Sequence, residues 1–133
     1  MTALTTDRDT PLREGVLAAH PVAASANIFV GALVALNATG FAAPGTLVAG
    51  LTAVGVAQEP ADNSAGLDGD INVEVRRGVF RFDNSVANPV NRTHIGTTVY
   101  IEDDQTVRSL ATAASAAGTV IDLDADGVWV EVG

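Results

Sequence analysis

Apolar and polar residues alternate with a period of two over several stretches of the chain, and that pattern predicts strands. Ile71, Val73 and Val75 alternate with Asn72, Glu74 and Arg76, giving one apolar and one solvated face. Gly78 separates this stretch from Val79 to Phe82, in which Phe80 and Phe82 share a face. Residues 97–102 alternate again, with Val99 and Ile101 opposite Tyr100 and Glu102. Val120 to Leu123 and Val128 to Val132 predict two closing strands. Asp126-Gly127 between them is a strong signal for a tight hairpin turn.

The first half is patterned less clearly. Val16 to Pro21 is apolar, and Asn27 to Leu36 predicts a first strand with Gly31 as a bulge or a site of close backbone approach. Asn37 to Gly40 predicts a turn, and Thr52 to Gln58 the best strand of the Ala-, Gly- and Val-rich region that follows. Glu59 to Asp70 carries three Asp, two Gly, Pro, Asn and Ser, and predicts a long surface loop. Ala is dense from Thr106 to Ala117, the one candidate helix, although Ser109, Thr112 and Ser115 suit a loop equally well.

Short, closely spaced strands predict an all-β fold, a small β-sandwich or barrel, as a single β-rich domain over residues 15–133. Residues 1–14 are rich in Thr and charge, hold Pro11 and show neither periodicity. They predict an extended N-terminal arm that orders only against a partner.

Composition narrows the chemistry. A chain of 133 residues suits one core. Apolar residues make up 47% but aromatics only 5%, so the core is built from small and β-branched side chains. A core that thin favours oligomerisation as additional burial. The formal charge is -9, with seven Arg and no Lys. A phosphate backbone would be repelled, which argues against nucleic acid as a partner. The missing Lys excludes Schiff-base chemistry and a Walker lysine, and the missing Cys excludes disulfides, thiolate metal sites and Cys nucleophiles. The N-terminus lacks an apolar signal segment, and the longest apolar run, Ile28 to Leu36, is too short to span a bilayer. A soluble protein made without a signal peptide, with no membrane partner, is expected.

Motifs that carry chemistry end early. Asp122-Leu123-Asp124-Ala125-Asp126-Gly127 opens like a calcium-binding EF-hand loop, but its twelfth position is Gly133 where a bidentate Glu belongs. The hairpin explains it better. Asp62, Asp68, Asp70, Asp103 and Asp104 would form a cation site only if their loops met; carboxylate-rich turns are more often simply solvated. His20 and His94 stand in no triad or metal spacing. Asn37-Ala38-Thr39 and Asn91-Arg92-Thr93 are sequons, relevant only to a secreted chain. Arg76, Arg77 and Arg81 offer a surface for an acidic partner or, as the simpler expectation, pair with the chain's own carboxylates, and Trp129 and Tyr100 are expected to pack in the core or an interface. No catalytic residue, cofactor or metal is predicted.

From Val54-Gly55-Val56-Ala57 onward the order of features is distinctive. Asp62-Asn63-Ser64-Ala65-Gly66 precedes Val73-Glu74-Val75-Arg76-Arg77-Gly78-Val79-Phe80-Arg81-Phe82. Next come Ile95-Gly96, Tyr100, Asp103-Asp104-Gln105-Thr106-Val107, Ala117-Gly118-Thr119-Val120 and Asp126-Gly127-Val128-Trp129-Val130. This succession resembles the capsid decoration, or cement, proteins of tailed bacteriophages, over most of the chain from about Val16. The resemblance implies a non-enzymatic structural virion protein, made in the host cytoplasm, that binds the major capsid protein on the outside of the expanded head. It also implies clustering as a homotrimer. On that reading the arm contacts the capsid through Thr2, Thr5, Thr6, Arg8, Thr10 and Pro11: the threonines favour strands and Pro11 keeps the exit extended. The alternative is a virion-surface adhesive module that binds glycan or calcium.

Overall fold

The computed structural model describes residues 2–13 and 15–133; Met1 and Glu14, the two ends of the expected arm, lie outside the described residues. The body is all β, as expected, and combines both of the anticipated architectures. Strands β1 (Leu17–Pro21), β3 (Leu33–Leu36), β4 (Ala42–Pro44), β5 (Thr52–Ala57) and β7 (Asn72–Arg76) form an antiparallel sheet in the order β1-β7-β5-β3-β4. A closed barrel follows, in the order β10-β8-β12-β11-β9. Its strands are β8 (Gly78–Asn84), β9 (Thr98–Ile101), β10 (Thr106–Arg108), β11 (Ala116–Asp124) and β12 (Gly127–Val132). Only the β8–β10 pairing is parallel. A two-stranded ribbon of β2 (Asn27–Ile28) and β6 (Ala61–Asp62) covers the other face of the sheet.

Two apolar clusters follow from this layering. The barrel encloses Phe82, Val99, Ile101, Val107, Val120, Val128 and Val130, and Leu33, Ala35 and Val56 of the sheet join them. On the opposite sheet face Val34, Ala57, Val73 and Val75 pack with Val22 and Ile28. Successive residues of β3 therefore enter different clusters, which is why Leu33-Val34-Ala35 is apolar without alternation. The alternation read from β7, β8 and β9 is preserved, with Val73, Val75, Val99 and Ile101 fully buried.

Three expectations need correction. Asn27 to Leu36 is two short strands, because Phe29 to Ala32 is a turn closed by the Ala32 N–H on the Phe29 carbonyl at 3.2 Å. Gly31 serves that turn at φ +86°, a conformation that favours glycine. Thr106 to Ala117 is not a helix. Val107 is fully buried in the barrel as part of β10, and Ala113 has φ +54° in the following turn, which a right-handed helix forbids. Finally, the Glu59 to Asp70 loop is not wholly superficial. It contains β6 and the buried Asn63, 3% exposed, whose Nδ2 donates to the carbonyls of Ala23 and Leu67 at 2.9 Å and of Val22 at 3.3 Å.

Candidate functional site

Thr2, Thr5, Thr6, Arg8, Thr10 and Pro11 stand on one exposed segment. Residues 2–13 form no strand, and each is exposed. Leu4 is 72% and Leu12 96% exposed, so even the apolar side chains of the segment leave the core alone. The segment leads into β1 at the outer edge of the sheet.

A second feature lies on the outside of the barrel, where β8, β12 and β11 run side by side. Arg81 is opposite Trp129, and Trp129 opposite Asp122. Inward-facing Val128 and Val130 force Trp129 outward, so of the two expected placements, core or interface, the core is excluded and Trp129 is partly exposed. The indole N–H donates to Asp124 Oδ2 at 2.9 Å, and the Arg81 guanidinium lies over the ring, 5.8 Å from its centroid. Asp124 Oδ1 accepts the N–H groups of Asp126 and Gly127 at 2.8 and 3.1 Å. The Trp129 bond first, then the Asp126 amide, holds the Asp124 carboxyl below the usual aspartate range. Arg81 reaches Asp126 at 3.9 Å, the one side-chain ion pair among the described residues. Val79 and Ile121, each 45% exposed, belong to the neighbouring strands. Sequence reasoning missed the Asp124–Trp129 link, although a two-residue hairpin closed by Asp124 and Gly127 places both side chains on one face.

Backbone amides engage four of the five acidic-loop carboxylates, three within their own turns and Asp68 from across the fold. Asp62 Oδ1 accepts Ser64 N–H at 3.0 Å, which with the Ser64 side chain lowers its pKa. Asp68 takes the Ala24 N–H at 2.7 Å, Asp70 the Leu67 N–H at 2.8 Å and Asp103 the Gln105 N–H at 2.9 Å. Asp104 contributes its backbone carbonyl to Leu33 N–H at 2.8 Å. Among the described residues no three His, Asp or Glu side chains gather as a metal-holding group. His94 Nδ1 accepts the Asn91 N–H at 2.9 Å and closes the cap of the single 3-10 turn, Arg92–His94. His20 lies in β1 opposite Val73. Both sequon asparagines serve turns: Asn37 Oδ1 accepts from Thr39 N–H and Phe41 N–H at 3.0 Å, and Asn91 Oδ1 from Thr93 N–H at 3.0 Å. Arg77 donates to the Gly133 carbonyl from Nη2 at 2.6 Å rather than to a carboxylate side chain.

Two surfaces are exposed for contact: the segment of residues 2–13, which forms no strand, and a Trp–Arg pair on a barrel strand face, residue types that anchor protein interfaces. No protein-family model matches the chain, and neither a curated protein nor a solved structure shows significant similarity to it.

Proposed function

We propose that this chain is a structural virion protein that binds the outer surface of a phage capsid and stabilises the expanded head. The observation that carries the proposal is the exposed arm of residues 2–13 leading from an all-β body. The order of motifs that resembles the cement proteins supports it, and those motifs lie on successive strands and turns of that body. A segment that forms no strand of its own orders by adding to a strand of a partner, where backbone hydrogen bonds supply affinity. Ordering costs about 1 to 2 kcal/mol per residue fixed, so occupancy depends on many copies acting on a repeating lattice. Self-association as a trimer completes the reading, with the protein made in the host cytoplasm and carried on the exterior of the virion.

The test is co-sedimentation with expanded capsids of the phage that encodes the chain. The full chain is expected to saturate the shell, and a truncation starting at Gly15 to bind far more weakly while keeping its circular dichroism. Absence of binding by the full chain would overturn the proposal. Trp129 favours a second reading as a glycan-binding surface module, because aromatic faces stack on sugars. Arg81 already lies over that ring, and saturable binding to a glycan array, abolished by Trp129→Ala, would establish the alternative.

A further inference from the structure

Strand β1 ends the five-stranded sheet, and its pairing with β7 determines which of its backbone groups are used. The Arg77 N–H donates to the Val16 carbonyl at 2.8 Å, and the Val22 N–H to the Ile71 carbonyl at 2.9 Å. Residues that exchange hydrogen bonds alternate along an antiparallel pair, so Val16, Ala18, His20 and Val22 turn their peptide groups toward β7. Leu17, Ala19 and Pro21 turn theirs the other way, where the sheet has no further strand. Pro21 occupies one of these outward positions, where a missing N–H costs nothing. Leu17 and Ala19 present their N–H groups, and all three residues their carbonyls, to an empty edge. Such edges are ordinarily blunted by Lys, Pro, a bulge or a covering segment, and here Pro21 blunts only the last of the three outward positions. The register of β1 against β7 is unbroken and the strand holds no Lys.

The start of this edge is basic in a chain of net charge -9, whereas Ala19, further along, pairs with Glu74. Leu17 pairs with Arg76, and Arg13 and Arg77 line a cleft of about 310 Å³ with Leu17, Ala18 and His20. Neither Arg76 nor Arg77 is within ion-pair distance of a carboxylate side chain among the described residues. The arm has complementary properties. Thr5, Thr6 and Thr10 favour strands, and Asp7 and Asp9, two residues apart, project from one face once the segment is extended. Within its own chain the arm does not lie along β1.

We propose that Thr5 to Thr10 of one copy adds as a sixth strand to the β1 edge of a second copy, with its Asp7–Asp9 face on the side of Arg76. Donor arm and acceptor edge are different surfaces, so the contact is heterologous and closes into a ring when the rotation between copies allows it. This exchange supplies an interface for the trimer proposed above and rests on that reading. Length permits both uses of the arm. Twelve extended residues reach about 40 Å, whereas a five-residue edge runs roughly 17 Å, so Thr2 to Leu4 remain available to a shell while Thr5, Thr6, Arg8 and Thr10, assigned above to the capsid, serve the second copy instead.

Amide exchange and sedimentation of the protein alone test the exchange, with no capsid present. In the associated full chain the Leu17 and Ala19 amides are expected to be protected together with those of Ala18 and His20. Truncation at Gly15 should yield a monomer in which Leu17 and Ala19 exchange roughly a hundredfold faster while Ala18 and His20 stay protected. A synthetic peptide of residues 2–13 should restore their protection. Ala19→Pro in the full chain repeats what Pro21 already does at an outward position, and should weaken association by about tenfold or more without unfolding the sheet. Failure of the full chain to associate with bare capsids would count against the decoration role alone. Three results would each overturn the exchange: a full chain that stays monomeric, a truncated chain that associates as the full chain does, or protection of Leu17 and Ala19 in a monomer.

Discussion

The indole N–H of Trp129 donates to Asp124 Oδ2 at 2.9 Å, tying β12 to β11 across the outside of the barrel. Both oxygens of that carboxylate are engaged, the other by the hairpin amides of Asp126 and Gly127. Stabilising the charged form lowers the pKa of Asp124 in the folded state. Its contribution is therefore complete above the unfolded value of about 4 and is lost as pH falls through the lower folded value. In a nuclear magnetic resonance titration the Trp129 indole proton should shift below about pH 4, and Asp124→Ala should remove that transition. An indole resonance that stays constant through acid titration contradicts the link.

Asn63 joins three segments by one side-chain amide. Replacing it with Ala leaves the carbonyls of Val22, Ala23 and Leu67 without that donor in a site only 3% exposed. Buried acceptors without partners are costly, and Asn63→Ala is expected to lower unfolding free energy by about 2 to 4 kcal/mol. Urea denaturation measures it. A change below about 0.5 kcal/mol would show that water replaces the amide without loss.

Legibility from sequence followed the number of buried faces. β7, β8 and β9 have one face in a core and one outside, so Val73, Val75, Val99 and Ile101 alternate with polar residues and are recognisable. β3 is buried on both faces, and Leu33-Val34-Ala35 loses the alternation that would have marked its limits. Strands of two or three residues, such as β6 and β10, are set by their partners across the sheet. Val107 belongs to a strand because Asn84 and Ile101 flank it, which no local propensity of an Ala-rich stretch expresses. At the surface, the composition of the arm was legible, whereas the β1 edge was not. Which peptide groups are left unpaired depends on the register with β7, more than fifty residues away.

Arg108 is 8% exposed, and its Nε has no hydrogen-bond partner. A guanidinium taken from water and incompletely paired contributes less than an apolar side chain of similar length. Arg108→Met, which keeps the aliphatic packing beside Tyr100, is expected to leave stability unchanged or raise it by about 1 kcal/mol or more. Arg108→Ala removes the stem as well and should destabilise. A large loss from the Met substitution would show that the charge is compensated in solution.

Gly118 sits at the bulge of β11, where the register against β9 shifts between Ala116 and Gly118. A Cβ there would run into the backbone carbonyl oxygen of Glu131 on β12. The obstacle is main chain, not the movable end of a side chain, so relief requires β11 and β12 to separate. Those strands belong to a closed barrel. Movement of β11 must therefore also disturb its pairing with β9, because no free edge absorbs the shift. Gly118→Ala, although a single methyl group, is expected to cost about 3 kcal/mol or more, comparable to a large core deletion. The m-value should hold if the barrel unfolds in one step, while Trp129 fluorescence in the native baseline reports the altered β11–β12 face. A midpoint equal to that of the parent protein would mean that the bulge accommodates a side chain without separating β11 from β12.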